Sequence, residues 1–354
     1  MESHNNKKVE SLPGLGLRLI GIGMIILAAC ADAGGEPAAA QPTPKVVPGI
    51  AISRGINLGN WLEAPTPGEW GVSIEPWHFS SIRQAGFDSV RIPVRFSAHA
   101  SPHPPYVLDA VFMQLVDDAI QQGLRNGLNV ILDFHHYEQI MEAPAEHTER
   151  FLAIWQQLAE RYQEAPEPLY FELLNEPHGQ MDENQWNELL AKAVKRIRIS
   201  NPRRWIIAGG VDFNHIRSLD GLRLPDDDFL IATFHLYEPF EFTHQGASWV
   251  AGADQWAGVQ WAGTEEEKQV VEALLDESLD WSQRHGVPLL MGEFGAIAGA
   301  DDNSRRSWTA FAANQARQRG IAWIYWDCCG EFRAMDCVTG VWDQLLLDAL
   351  IPSR

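Results

Sequence analysis

From residue 50 onward, short apolar runs rich in β-branched and aromatic residues alternate with longer stretches whose apolar side chains recur with a helical period. The runs cover 51–58, 87–94, 128–134, 169–174, 205–209, 229–234, 287–292 and 321–326, eight in all. Several lack polar alternation, the pattern of strands covered on both faces. Between them, Phe112, Leu115, Val116, Ala119 and Ile120 fall at i, i+3, i+4, i+7 and i+8, and Phe151, Ile154, Trp155, Leu158 and Ala159 repeat that spacing, which predicts helices with one buried stripe. Pro202 and Pro288 are read in loops before strands, where a missing N–H does little harm. Strand and helix alternating in this way predict parallel βα units. Eight such units in about 300 residues predict a single α/β domain, one closed (β/α)8 TIM barrel. An open doubly wound sheet is the alternative, but no Gly-rich phosphate loop follows the first run.

The amino end follows a different pattern. Lys7, Lys8 and Arg18 precede a short apolar run over 19–28, and Leu27-Ala28-Ala29-Cys30 closes it with small residues and a cysteine. This resembles the lipobox of bacterial lipoproteins, which implies a signal peptide over 1–29 and lipid attachment at Cys30. The run falls short of the roughly 20 apolar residues that span a bilayer, so a permanent transmembrane helix is disfavoured. An ordinary secretory peptide cut nearby is the alternative. Residues 30–49, rich in Ala, Gly and Pro, read as a flexible tether, which leaves 50–354 for the barrel. The expected location is the bacterial cell envelope or outside the cell, with the membrane touched only through the lipid on Cys30. Tether and barrel use up the mature chain, so no separate binding module is expected.

Composition narrows the partners. Among 354 residues, 47 acids outnumber 27 bases for a formal net charge of −20, and no Lys/Arg cluster forms a phosphate-binding stripe, so nucleic acid is not an expected partner. Fourteen Trp against 6 Tyr offer flat indole faces suited to the apolar faces of sugar rings. Of the cysteines, Cys328, Cys329 and Cys337 sit close together, and in an oxidising compartment one local bridge to Cys337 would leave one thiol over. Their spacing does not make a metal site.

In such a barrel chemistry belongs at the carboxyl ends of the strands. There the sequence places Asn57 and Asn60, Arg91, His135 and His136, Asn175 and Glu176, His235 and Tyr237, Glu293, and Trp326. Glu176 and Glu293 both follow buried apolar runs, at the ends of the fourth and seventh strands. A carboxylate pair on facing strands can divide the cleavage of a glycosidic bond, one group protonating the departing oxygen and the other attacking the anomeric carbon. The neighbouring His135 and His136 suggest a metal. Adjacent strand residues point to opposite faces, however, so the two cannot chelate one ion, and one of them is expected to face the helices. They read better as sugar-binding donors, with no metal and no other cofactor.

These residues carry a resemblance to glycoside hydrolase family 5, which contains many bacterial cellulases. It runs from about Ser53 to Leu350. Asn175-Glu176-Pro177 resembles the family's acid/base signature and Gly292-Glu293-Phe294-Gly295 its nucleophile strand, while Arg54–Asn60, Val90–Pro93, His135-His136-Tyr137 and Trp323–Trp326 match further strand-end motifs in order. Phe240–Gly246 with Trp249, and Asn175–Gly179, resemble the branch containing a thermophilic endoglucanase that also accepts mannans. The cysteine-bearing segment Asp327-Cys328-Cys329-Gly330 departs from the pattern beside Trp326.

The resemblance implies a retaining mechanism. Glu293 would be the nucleophile and Glu176 the acid/base, with Arg91 and Tyr237 holding Glu293 ionised and Asn175 hydrogen-bonding the sugar 2-OH. Asn60, Glu63, His135, His136, His235, His244, Trp249 and Trp326 would contact or support the glycan, Trp326 as a stacking floor. Trp61, Trp70, Trp256 and Trp261 receive no role. The implied substrate is a β-glucan polysaccharide cut within its length by a monomer, with no cofactor. The alternatives are an endo-β-1,4-mannanase or a bifunctional glucanase/mannanase, or, in another class, a non-catalytic carbohydrate-binding protein. A metal-dependent hydrolase would need His and Asp ligands that the strand ends do not supply.

Overall fold

A computed structural model describes residues 49–352. The expected signal peptide over 1–29, Cys30 and nearly all of the expected tether lie outside the described residues. Eight parallel strands, β1 (Arg54–Asn57), β2 (Ser89–Val94), β3 (Asn129–Phe134), β4 (Leu169–Glu172), β5 (Ile206–Gly209), β6 (Leu230–Leu236), β7 (Leu289–Phe294) and β8 (Ala322–Tyr325), close into one barrel. They are in sequence order, and β8 pairs back onto β1 with Ile56 opposite Tyr325. Helices lie between successive strands, as the right-handed βα crossover requires. Each strand falls within or beside its expected run.

Two layers of burial follow from the period of two along each strand. Residues facing the helices, such as Val90, Ile92, Leu132, Phe171 and Phe234, join the large core between barrel and helices. A second cluster, Ile131, Tyr170, Ile207, Ile231, Leu290 and Ile324, is separate from it. Stepping two residues along the strands leads from Ile131 to Asp133, from Tyr170 to Glu172, and from Ile231 through Thr233 to His235. The inward-facing positions therefore turn from apolar to polar toward the carboxyl end, and all of these polar side chains are buried.

The helix Ala110–Arg125 is capped by Asp109, whose side chain accepts from Phe112 N–H. It buries Phe112, Met113, Val116, Ala119, Ile120 and Gly123, but Leu115 is exposed. The stripe is rotated one position from the expected one because Gly123 lets the helix press onto β2 and β3. A Cβ there would stand 2.5 Å from a Val130 methyl. The helix Pro144–Arg161 buries all five expected positions, Phe151, Ile154, Trp155, Leu158 and Ala159.

Candidate active site

Arg91 on β2 is the hub beneath the barrel mouth, and it is fully buried. Its guanidinium forks onto Glu172 at the end of β4 with bonds of 2.7 and 2.9 Å, and donates to Glu293 Oε1 at 2.8 Å, Asn57 Oδ1 at 2.9 Å and Asn175 Oδ1 at 2.8 Å. Asp133 Oδ2 on β3 lies 3.1 Å away. Strand register explains the convergence, since Asn57 pairs with Arg91 and Asp133 with Glu172 across neighbouring strands.

Three carboxyl groups around one guanidinium cannot all be charged at low cost. Burial pushes the Asp133 carboxyl well above its usual range and the His135 imidazole well below its own. Asp133 Oδ2 and His135 Nδ1 are 2.6 Å apart, so this pair holds one proton without net charge. Glu172 and Glu293 then remain as the charged partners of Arg91. Because Asn175 Oδ1 already accepts from Arg91, the Asn175 amide keeps its N–H groups for a ligand.

Glu293, near the end of β7, accepts from Arg91 on one oxygen and from the Tyr237 hydroxyl, at 2.8 Å, on the other. Burial raises its pKa above the ordinary value, while His235, Arg91 and the Tyr237 bond oppose that rise. Tyr237 itself stays protonated, its hydroxyl pushed well up by burial and by Glu293. A shift in register between Phe234 and His235 on β6 sets His235 opposite Glu293. His235 Nδ1 lies 2.7 Å from Glu176 Oε1 and 3.6 Å from Glu293 Oε2.

Glu176 follows β4 in a left-handed backbone conformation, φ +48°, uncommon for a residue with a Cβ and a mark of a functional turn. Burial lifts its pKa to about 7. One oxygen of each carboxylate and a His235 ring nitrogen lie within 4.8 Å of one another. The two carboxylates thus approach closely, in keeping with a retaining pair, whose carboxyl groups stand roughly 5 to 5.5 Å apart against roughly 6.5 to 9.5 Å in an inverting pair.

Above the pair, a cleft of about 610 Å³ is lined by Asn60, Glu63, His136, Tyr237, His244, Trp249 and Trp326, with Glu176 and Glu293 at its base. Arg91, His135, Asn175 and His235 lie buried around that base. The structure thus brings together every site residue expected among the described positions. His135 and His136 depart from one expectation. β3 ends at Phe134, so both lie in the loop beyond it, where strand alternation no longer applies. His136 opens into the cleft, and His135 stacks on Trp326, rings parallel within 4° at 5.3 Å. Neither faces the helices.

Glu63 is buried and accepts from the backbone N–H groups of Asn60 and Trp61; burial raises its pKa to about 8. Burial also lifts Asp327, just after Trp326, to about 7. Burial lowers His244 to about 4, so it enters the cleft as a neutral ring.

Several residues of this site were not expected. Asp133 and Glu172 complete the Arg91 cluster, and the signal that could have found them is their position two and four residues before His135 and Glu176. Trp70, given no role from sequence, lines the cleft with Arg95 over its ring at 5.4 Å and His136 edge-on at 5.9 Å. Glu331 and Phe332 form another part of the wall. Cys329 and Cys337 are joined in a disulfide, leaving Cys328 as a buried free thiol. A larger groove of about 740 Å³ lies at the amino ends of β1 and β8, away from the carboxylates.

A closed (β/α)8 barrel with two carboxylates converging at its carboxyl mouth under an aromatic cleft defines the glycoside hydrolase class. Residues 52–331 match the family model described as cellulase (glycosyl hydrolase family 5), and the chain belongs to that family. It is 38% identical over 298 residues to Endoglucanase H of Acetivibrio thermocellus, covering 83% of this chain but only 32% of that protein. Endoglucanase C of the same organism is 29% identical and is covered over 86% of its length. Among solved structures, the endoglucanase Cel5A of Thermotoga maritima superposes with a TM-score of 0.83 at 44% identity, over 84% of this chain and 97% of that one. The cellulose synthase subunit Z of Clostridioides difficile gives 0.83 at 39%, over 85% and 99%.

Proposed function

We propose that this chain is an endo-β-1,4-glucanase that cleaves glucan chains with retention of configuration. The observation that carries the reading is the asymmetry of the carboxylate pair. Glu293 receives an Arg91 N–H and the Tyr237 O–H, both of which favour its charged form, while Glu176 is lifted to about 7 and so keeps its proton up to near-neutral pH. Glu293 then attacks the anomeric carbon as Glu176 protonates the departing oxygen. Water, deprotonated by Glu176, releases the sugar from Glu293 in the second step. Asn175 offers its amide to the 2-OH, and Trp326, fixed from behind by His135, offers a face to the sugar ring.

The cleft volume of about 610 Å³ and its aromatic lining, Trp70, Tyr237, Trp249 and Trp326, support binding of more than one sugar ring. A mannanase or bifunctional activity is the second reading. It is favoured by one observation, that the Thermotoga maritima Cel5A has been captured with mannotriose as well as with cellobiose. The deciding experiment is reducing-sugar release from carboxymethyl-cellulose, mixed-linkage β-glucan and β-mannan, by the wild type and by Glu293→Gln. Release from the glucans that disappears in the variant supports the proposal, and release from mannan alone overturns it.

We further propose that the chain is exported and anchored through Cys30. The lipobox-like segment Leu27-Ala28-Ala29-Cys30 supports this, as does the Cys329–Cys337 bridge, which suits an oxidising compartment. Labelled palmitate incorporated by the wild type and lost in Cys30→Ala is the expected result.

A further inference from the structure

We propose that Arg305, which lies outside the cleft, is a positioning residue that sets one cleft wall by acting through Phe332; the inference rests on the glycanase reading of the cleft. Arg305 stands on the helix Asp302–Gln318 and is 4% exposed. Its Nε donates to the carbonyl of Ala296, just beyond β7, at 2.9 Å. One terminal nitrogen reaches the Tyr325 hydroxyl on β8 at 3.1 Å and the carbonyls of Phe332 and Arg333 beyond β8 at 2.8 and 2.9 Å. The other terminal nitrogen lies 3.6 Å from Asp343 Oδ2. The Tyr325 hydroxyl donates in turn to the Phe332 carbonyl at 2.9 Å. A single buried guanidinium therefore ties the segment after the nucleophile strand to the segment that builds the wall. Only a planar fork with several donors can serve these acceptors together.

What separates this arrangement from an ordinary structural clip is what rests on Phe332. Its ring is 1% exposed and lies 5.2 Å from His244, 6.0 Å from Tyr237 and 6.4 Å from Trp249, centre to centre. All three line the cleft, and Tyr237 donates to Glu293. The ring seats against Gly295, where an added Cβ would stand 3.2 Å from Phe332 Cδ1. The ring has no polar atom of its own, so its depth is fixed by its backbone carbonyl, and that carbonyl is held by Arg305 and Tyr325. A loss of the fork lets the ring shift and moves three glycan-facing side chains together.

The test uses the full chain with Arg305→Lys, Phe332→Leu and the double variant, reading KM and kcat on cellohexaose beside the melting temperature. Each single change is expected to raise KM about five- to tenfold with kcat falling less than about threefold, and the double variant is expected to do no more than the stronger single. Arg305→Lys with a wild-type KM overturns the proposal, even if the protein melts earlier. So do KM effects that multiply in the double variant. If Arg305→Lys fails to fold, Phe332→Leu decides alone, an unchanged KM being the overturning result. Failure of the glucanase reading shows separately, as a wild type inactive on cellohexaose but active on mannohexaose, on which the same cycle is then read.

Discussion

At the scale of single residues, the site works by giving chemically similar groups different surroundings. Glu176 and Glu293 are both buried carboxyls, yet only Glu293 receives an Arg91 N–H and a phenolic O–H. The proposed mechanism needs Glu176 protonated and Glu293 ionised. The rate on a soluble glucan is therefore expected to fall as pH rises through about 7, where Glu176 loses its proton, and to fall on the acid side as Glu293 gains one. A kcat/KM profile flat to pH 9 would contradict this assignment. Asp133 provides a second test. Because it shares a proton with His135 and carries no net charge, Asp133→Asn is expected to cost no more than about 1 kcal/mol of stability. Glu172→Gln should cost more, about 1.5 to 3 kcal/mol, because it replaces the charged acceptor bound bidentately to buried Arg91 while Glu293 still pairs with it. Urea unfolding of the two variants compares them directly. The sequence exposed Arg91, Glu176 and Glu293 as strand-end polar residues. It did not expose Asp133 and Glu172, which stand inside apolar runs within the last two positions of β3 and β4 and gain meaning only once the barrel closes around Arg91.

At the scale of elements, the strands were legible because each is an apolar run of the right length, and their ends were less so. His135 and His136 show the reason, since strand alternation stops where β3 stops, one residue before them. Trp70 escaped notice because nothing local says that its loop will fold over the barrel mouth. The segment after β8 gives a prediction at this scale. Cys329 and Cys337 close a short loop, with a sequence separation of 8. Loop-closure entropy assigns such a bridge about 2 to 3 kcal/mol. Cys337→Ser is therefore expected to lower stability by about that amount, while KM changes little, because the Phe332 carbonyl is held independently by Arg305 and Tyr325. Calorimetry of the variant beside its steady-state kinetics checks both parts.

At the scale of the whole molecule, burial of acids and the net charge act together. Glu63 and Asp327, lifted to about 8 and about 7, bind protons in the folded chain that the unfolded chain has already released. Stability from these raised carboxyls is present below their unfolded pKa and is lost as pH rises through the folded values. Buried His244, lowered to about 4, acts in the opposite sense until its unfolded value near 6.5 is passed, so the melting temperature is expected to fall between about pH 6.5 and pH 8, and Glu63→Gln should flatten that fall. A melting temperature that rises across this window would refute the assignment. The formal charge of −20 acts on substrates as well. An anionic glucan such as carboxymethyl-cellulose is repelled at long range, whereas a neutral mixed-linkage glucan is not. Raising salt from about 10 mM to 150 mM, which shortens the screening length from about 30 to 8 Å, should lower KM for the first and leave the second unchanged.

The sequence by itself determined the barrel, because eight buried strands joined by amphipathic helices have few ways to cover their apolar faces. It also pointed to Arg91, Glu176 and Glu293, because each lies in or just after an apolar run. Only the tertiary structure decided what those residues do to one another. Three acids around Arg91, the paired proton of Asp133 and His135, and the hold of Arg305 on Phe332 join residues from different strands. Their protonation and placement depend on distances and desolvation that arise only when the barrel closes.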